Sequence, residues 1–290
     1  MADSMETQQE HSSSNNEAGT SGRKGRAAWV AAVVLIAAAL SFGAAGIAIW
    51  LTAAQTDNHG TNGKPAYDGY TYVRQEAEGV VMHALVTEPS KVTLEAVRGN
   101  VAGTPYYGVN GGFFYNGMLL SMAIINDQPV GGKPQTYGSG YSNVKFARGT
   151  LVWDGATDQL SVQVVSNADE LKVTDRAHYW AQGGISMRPL DDAGWRQQAD
   201  AEQAPFPDDD RLRTAAAYDK DGKLYLIVSQ TKTTLATFRQ AIIEAYGEME
   251  DGIFLDGDGS SQLRAFEATL PGDGRQVEQM IRLKNPGENR

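Results

Sequence analysis

Pairs of apolar, extended segments joined by turn residues are the feature that most constrains the fold of this chain. Residues 213–218 and 223–229 flank the turn Asp-Lys-Asp-Gly at residues 219–222, which predicts a β-hairpin. Asn116-Gly117 is a second strong hairpin signal. Further extended segments are predicted at residues 80–87, 91–97, 118–125, 150–153, 160–165, 178–185, 252–255 and 280–283, and residues 107–114 are apolar apart from Asn110 and the glycines.

One segment has the periodicity of a helix. Its apolar residues Leu235, Phe238, Ile242 and Ala245 fall on one face, Thr233 or Thr234 can cap its start, and Gly247 can end it. Residues 191–210 carry acidic residues, Gly and Pro and are predicted to be an exposed loop. Many strands with few helices predict an α+β domain with mixed or largely antiparallel sheets.

The segment at residues 252–255 runs directly into Asp256, so a strand is expected to present a carboxylate at its C-terminal end. Gly257, Asp258, Gly259 and Ser260 follow. Glycines allow positive φ and close approach of a ligand to the backbone. Flexible glycines and two neighbouring carboxylates do not stabilise a fold, so their combination at residues 256–259 indicates a functional site.

A calcium-binding loop is one interpretation of this stretch. Asp256, Asp258, Ser260 and Glu267 match its ligand positions, but Ser261 stands where an EF-hand requires Gly, and a strand precedes the loop where a helix is required. A complete EF-hand is therefore not expected. Asp256 and Asp258 remain candidate ligands for a divalent cation, either Ca²⁺ or Mg²⁺, because hard cations favour clustered carboxylates.

The N-terminal part of the chain has the pattern of a membrane anchor. Residues 1–26 are polar and predicted to be a disordered cytoplasmic tail, and their last residues are basic. The uncharged run at residues 27–54 is long enough for a transmembrane helix and too long for the apolar region of a cleaved signal peptide, which is the alternative. Residues 55–68 read as a linker, so residues 69–290 are expected to be an extracytoplasmic domain at the cell membrane.

The composition of the chain and the motifs that it lacks argue against several functions. The chain of 290 residues has no cysteine, so it has no disulfide, thiolate nucleophile or cysteine zinc site. Its net charge of −10 argues against non-specific nucleic-acid binding, and no nucleic-acid partner is expected. Signatures of zinc proteases, α/β-hydrolases and phosphate-binding loops are absent from the sequence. His83 and His178 are isolated and are interpreted as structural.

Three further motifs are open to two readings. Asn110-Gly111-Gly112 is either a tight turn before a Phe pair or part of a site, and Gln182-Gly183 has the same ambiguity. Arg213, followed by Thr214, is either a surface ion partner or an anion clamp, since its planar guanidinium matches phosphate.

Taken in order with residues 255–261, these motifs resemble the phosphodiester glycosidase family over residues 75–270. The family usually has Gly where this chain has Asp258, so the sequence departs from the pattern there. The resemblance implies an enzyme that hydrolyses a sugar-1-phosphodiester in a cell-envelope or exopolysaccharide glycan. It implies catalytic roles for Asp256 and Asp258, with Asp258 as partner or metal ligand. It implies substrate-binding roles for Asn110, Gly111, Gly112, Gln182, Gly183, Arg213, Thr214, Gly257 and Ser260.

Two alternatives stay open at this point. A non-catalytic carbohydrate-binding or envelope-assembly module would use the same cleft without turnover. A glycosidase acting on non-phosphorylated glycans would use a carboxylate but would depend little on Arg213.

Overall fold

The computed structural model describes residues 69–288 of the chain. The predicted cytoplasmic tail, transmembrane helix and linker lie outside these residues, as do the last two residues of the domain. No helix within residues 69–288 is both long and apolar enough to span a membrane.

Eighteen strands and two α-helices make up the described domain. The helices are α1 (Trp195–Ala201) and α2 (Leu235–Tyr246). The strands are β1 (Tyr70–Ala77), β2 (Val80–Thr87), β3 (Val92–Gly99), β4 (Gly108–Asn110), β5 (Phe114–Tyr115), β6 (Met118–Leu119), β7 (Ala123–Ile125), β8 (Gln128–Pro129), β9 (Arg148–Asp154), β10 (Gln159–Val165), β11 (Tyr179–Gly183), β12 (Ile185–Ser186), β13 (Thr214–Asp219), β14 (Leu224–Ser229), β15 (Met249–Phe254), β16 (Leu263–Arg264), β17 (Thr269–Leu270) and β18 (Val277–Leu283).

Three sheets form the framework. The first has six strands in the order β1-β2-β14-β13-β15-β12, the second has the order β10-β9-β11-β7-β8, and the third has the order β17-β16-β4-β18-β3. Strands β5 and β6 form a separate hairpin. The pairings within these sheets are antiparallel, so the predicted α+β class with largely antiparallel sheets is confirmed.

The three sheets share one apolar core. Leu226 of the first sheet, Leu151 of the second and Ile281 of the third belong to the same buried cluster. The opposite face of the first sheet is covered by α2, whose Phe238 and Ile242 are fully buried. Each fully buried side chain of this size contributes about 1.5–3 kcal/mol relative to an exposed one, so the shared core joins the sheets into one unit.

The hairpin β13–β14 forms as the turn residues predict, and β9 and β10 form a second hairpin around residues 154–157. Helix α2 also begins and ends as predicted. The Oγ1 of Thr234 accepts a hydrogen bond from the Thr237 N–H at 3.2 Å, and Gly247 ends the helix with a φ of 75°.

Other local predictions were wrong. Residues 191–210 contain α1 rather than only an exposed loop, because Trp195 and Ala199 are buried against the first sheet. Residues 118–125 form two strands, β6 and β7, which belong to different sheets. Strand β1 was not anticipated, since only part of one face is buried.

Candidate active site

Asp256 follows directly after β15 and Leu255, as the sequence predicted. The backbone continues beside β13 past the end of the strand, because the Leu255 N–H donates to the Thr214 carbonyl at 2.8 Å. The Asp256 N–H donates to the Gly111 carbonyl at 3.2 Å, which ties the loop to the third sheet. A single 3₁₀ turn, Asp258–Ser260, then reverses the chain.

Asp258, where the sequence departs from the family pattern, adopts an unusual backbone conformation. Asp258 has a φ of 56°, in the left-handed region that Gly adopts without strain and that Asp tolerates better than most residues. Its side chain forms an ion pair with Arg211 at 2.9 Å. The carboxylate at this position therefore binds a neighbouring arginine of the protein.

Asn110 lies inside the protein and holds the Asp256 loop in place. Its Nδ2 donates to the Asp256 carbonyl at 2.8 Å and to the Gly111 carbonyl at 3.2 Å. Its Oδ1 accepts from the Thr214 hydroxyl and from the Gln262 N–H, both at 2.9 Å. These four bonds use the full hydrogen-bonding capacity of the amide, so Asn110 is a positioning residue in this geometry.

The glycines of the predicted motifs are required by close packing. A Cβ at Gly111 would overlap the Gln279 side-chain amide, and one at Gly183 would overlap the Asn143 Oδ1. Gly112 has the same constraint, because its Cβ would lie 2.8 Å from the Nε2 of Gln182. The structural reading left open for these turns is therefore the one that the geometry supports.

Gln182 is fully buried on β11. Its Nε2 donates to the carbonyls of Met122 and Gly183, at 3.1 and 3.0 Å. Its Oε1 has no hydrogen-bond partner among the described residues. Gln182 does not line the cavity described next, so the sequence prediction that it binds substrate has no direct geometric support.

A cavity of about 430 Å³ opens in front of Asp256. Apolar and aromatic side chains form most of its wall, and four arginines and two aspartates also line it. It is lined by Phe113, Phe114, Leu120, Arg148, Ile185, Ala204, Pro205, Phe206, Arg211, Arg213, Thr214, Leu235, Phe254, Leu255, Asp256, Gly257, Asp258 and Arg275.

Five of the predicted site residues line this cavity, namely Arg213, Thr214, Asp256, Gly257 and Asp258. The other predicted residues, Asn110, Gly111, Gly112, Gln182, Gly183 and Ser260, are not among its lining residues.

Arg213 is buried and its guanidinium donates to backbone carbonyls. The acceptors are the carbonyls of Thr233 at 3.0 Å, Phe206 at 2.8 Å and Asp209 at 2.6 Å. Burial, together with the nearby charge of Arg211, lowers the pKa of Arg213 to about 10. Within residues 69–288 it makes no ion pair, but Asp209, Asp258 and Asp210 lie close enough to stabilise its charge.

Arg148, on the second sheet, is likewise buried and donates to a backbone carbonyl. It lies at the start of β9, its Nε donates to the Glu202 carbonyl at 3.0 Å, and its guanidinium lies 5.2 Å from the ring centroid of Phe113. Burial lowers the pKa of Arg148, and the charge of the nearby Glu202 carboxylate opposes this effect, although the described part of the chain offers no ion pair to Arg148. A buried arginine without a carboxylate partner is costly, which marks both residues as candidates for binding an anion.

Arg211 and Arg275 complete the group of cations. Arg211 is bound by Asp258 and by Asp209, both at 2.9 Å, and Arg275 is bound by Asp273. Arg148, Arg211 and Arg275 were not predicted, because they stand in no motif and are brought together only by the packing of the three sheets.

Burial raises the pKa of the Asp256 carboxyl to about 6. The Ser260 hydroxyl, the Gly257 N–H and the charge of Arg275 oppose this effect by stabilising the carboxylate. Ser260 therefore acts on the site through Asp256, although it does not line the cavity. A carboxyl group that titrates near neutral pH inside a cavity is suited to proton transfer.

Within residues 69–288 no cluster of three or more acidic or histidine side chains is arranged to hold a metal ion. One Asp258 oxygen already accepts from Arg211, and Glu267, the last ligand position of the calcium loop, accepts from the Tyr70 hydroxyl at 2.7 Å. The divalent cation at Asp256 and Asp258 therefore stays a prediction without geometric support.

His83 binds the Tyr72 hydroxyl and Gln230, which agrees with its structural interpretation.

Fold and cavity together define a sheet-rich domain with one candidate catalytic carboxylate facing a set of arginines. The sequence profile of the phosphodiester glycosidase family matches residues 93–284, which is more than half of the chain. The chain belongs to the phosphodiester glycosidase family, and the resemblance drawn from its motifs is confirmed. No curated protein sequence matches the chain.

A solved structure supports the fold. The catalytic domain of zebrafish N-acetylglucosamine-1-phosphodiester alpha-N-acetylglucosaminidase, auto-inhibited by its pro-peptide, is similar with a TM-score of 0.56 at 15% identity, over 78% of this chain and 86% of that one. A hypothetical protein from Synechocystis matches with a TM-score of 0.40 at 13% identity, over 74% of this chain and 62% of that one.

Proposed function

We propose that this protein hydrolyses the bond between a sugar anomeric carbon and the phosphate of a phosphodiester. The observation behind the proposal is that Arg148 and Arg213, both buried and without an ion pair among residues 69–288, line the same cavity as Asp256. A phosphodiester is an anion and would pair directly with both guanidinium groups. Membership of the phosphodiester glycosidase family supports the same reaction.

The cavity suits such a substrate in charge and size. Four arginines and two aspartates line it, so its lining favours an anion although the whole chain is acidic. Its volume of about 430 Å³ lies within the range of about 300–1,000 Å³ that is usual for small-molecule sites. Guanidinium groups stabilise the negative charge of the departing phosphate monoester, so the sugar–phosphate bond needs little acid assistance to break.

Asp256 is the residue to which we assign proton transfer. With a pKa of about 6, it is ionised at neutral pH and basic enough to accept a proton from an attacking water. Asp258 is bound to Arg211 and is assigned a positioning role rather than a catalytic one. In this scheme water attacks the anomeric carbon, Asp256 takes its proton, and the sugar–oxygen bond breaks to leave a phosphate monoester.

The proposed setting is the outer face of a membrane. Residues 27–54 would anchor the chain, and residues 69–290 would act on a cell-envelope or exopolysaccharide glycan that contains sugar-1-phosphodiester links. This part of the proposal rests on the uncharged run and its basic flank in the sequence.

A hydrolysis assay with the full-length protein tests the reaction. N-acetylglucosamine-1-phosphodiesters are the first substrates to try, since the zebrafish relative is named for them, followed by glucose, galactose and mannose analogues. Asp256→Asn is expected to abolish release of free sugar, whereas Asp251→Asn, the same change on β15 outside the cavity lining, is expected to retain it.

The outcomes separate the alternatives. Saturable binding of the diester without release of sugar would support the carbohydrate-binding or assembly module instead. Hydrolysis of neutral glycosides that is unaffected by Arg213→Ala would support an ordinary glycosidase. Unchanged turnover in Asp256→Asn would overturn the assignment of the carboxylate.

A further inference from the structure

Phe206 lies on the cavity wall, in the segment between α1 and β13, and is 58% exposed. Because the ring is largely exposed, it contributes little hydrophobic stabilisation to the fold. The proposed reaction assigns it no role. Its position beside the arginines therefore needs another explanation.

The backbone of Phe206 is in an unfavourable conformation. Its φ is 49°, in the left-handed region. Among the twelve non-glycine residues with positive φ in the described part of the chain, Phe206 is the only apolar one. Asn and Asp can stabilise this conformation through their own side chains, but Phe cannot. Such strain persists only where the surrounding structure enforces it, and it concentrates at functional sites.

Hydrogen bonds at Phe206 and directly after it enforce this conformation. Its carbonyl accepts from the buried Arg213 at 2.8 Å, and the carbonyl of Pro207 accepts from the Leu235 N–H at the start of α2, also at 2.8 Å. The backbone of Arg211 pairs with that of Thr233. The ring is therefore held in place before a ligand arrives, which lowers the entropic cost of binding.

The segment is also anchored before Phe206, at the end of α1. The carboxylate of Glu202 is buried and accepts from the N–H groups of Gly149 and Ser186, from the Ser186 hydroxyl and from Gln198. The three bonds from Gly149 and Ser186 attach the segment to the second and first sheets. The wall that carries Phe206 is thus built as a rigid part of the domain.

One side of the ring is already occupied. The Arg211 guanidinium lies 4.0 Å from the ring centroid, and Asp209 and Asp258 hold that guanidinium in position. The remaining exposed surface of the ring is available to a ligand in the cavity. We infer that Phe206 is a stacking platform for the sugar ring next to the scissile phosphate, an inference that rests on the proposed function. The C–H groups on the less polar face of a sugar carry partial positive charge and pack against the negative face of an aromatic ring.

Binding measurements on the full-length protein test the platform separately from hydrolysis. The probes are glucose 1-phosphate, N-acetylglucosamine 1-phosphate and inorganic phosphate, titrated calorimetrically. Phe206→Ala is expected to weaken binding of the sugar phosphates about five- to tenfold and to leave inorganic phosphate unchanged. Phe206→Tyr keeps the ring and is expected to bind like the wild type. Tyr137→Ala is the matched control, because Tyr137 is 64% exposed but does not line the cavity.

A purely structural role for Phe206 predicts a different result. In that case Phe206→Gly would lower the melting temperature, whereas the platform predicts that it does not fall, because Gly adopts positive φ freely. The inference is overturned if Phe206→Ala weakens sugar phosphates and inorganic phosphate equally. It is also overturned if the wild type binds sugar phosphates no more tightly than inorganic phosphate. Absence of hydrolysis in every variant would refute the proposed function, while the binding comparison would still decide the role of Phe206.

Discussion

Replacing Asp256 with Asn is expected to make the domain more stable as well as inactive. The pKa of Asp256 is about 6 in the folded protein, against 3.8 for an unperturbed carboxyl. Well below pH 3.8 the group is protonated in both the folded and the unfolded chain and has no effect on stability. As the pH rises to 6, ionisation first becomes favourable in the unfolded chain only, so the folded state loses stability. Above pH 6 this cost is complete.

The size of the effect follows from the same pKa values. At about 1.4 kcal/mol per pH unit, the difference between 3.8 and about 6 corresponds to at most about 3 kcal/mol. Asn removes the charge and can keep a hydrogen bond to Ser260 or Gly257. For a domain of this size, about 2–4 °C in melting temperature accompany each kcal/mol. The variant is therefore expected to melt above the wild type at pH 8, by up to about 6–12 °C.

Thermal unfolding at pH 4 and at pH 8 measures this effect. The gain in melting temperature should be present at pH 8 and shrink toward zero at pH 4. Asp251→Asn is the control, because burial also raises the pKa of Asp251, so it should gain stability in the same direction but keep its hydrolytic activity. A gain of equal size at both pH values, or a loss at pH 8, would refute the argument that the carboxylate is held in the cavity at a cost in stability.

Four other outcomes are expected. If Asp256 is the base, kcat/KM should rise with pH through about 6 as the carboxylate ionises, and a fall over the same interval would indicate an acid instead. Arg148→Met should raise KM for a phosphodiester by about 10- to 100-fold and leave binding of neutral sugars unchanged, because a buried charge-assisted contact is worth about 1.5–3 kcal/mol; an unchanged KM would remove Arg148 from the anion site. Glu202→Ala should lower the free energy of unfolding in urea by about 2–4 kcal/mol, since it leaves buried N–H groups unsatisfied, and a loss below about 0.5 kcal/mol would contradict the anchor. Asn110→Ala should lower kcat more than it raises KM, because it releases the Asp256 loop without touching the cavity; the opposite split would point to direct substrate contact.

The parts of the fold that could be predicted from the sequence are those set by interactions between residues close together in the chain. The turn between β13 and β14, the Thr234 cap and the Gly247 stop depend on neighbours within a few residues, and each forms as expected. Helix α1 was missed because it is short, its Gly194 N-cap makes no side-chain hydrogen bond, and the burial of Trp195 that supports it is a tertiary effect.

The residues of the candidate site also divide into those with local sequence features and those placed only by tertiary packing. Asp256 was identified because the strand before it and the glycines after it are local features. Asn110 was expected to bind substrate, yet its partners come from the distant Asp256 loop and from β13 and turn it inward. Arg148, Arg211 and Arg275 could not be found, because an arginine outside a motif gives no sign of where the sheets will place it.

The cavity draws its charged residues from separate parts of one framework. Arg148 comes from the second sheet, Arg213 and Asp256 flank strands of the first, and Arg275 precedes β18 of the third. Asn110 on the third sheet holds the loop that presents Asp256. A chain in which only two of the sheets have docked would have neither the full set of cations nor a fixed carboxylate. Catalytic activity should therefore appear late in refolding and disappear together with the global unfolding transition, so it can serve as a reporter of the complete domain.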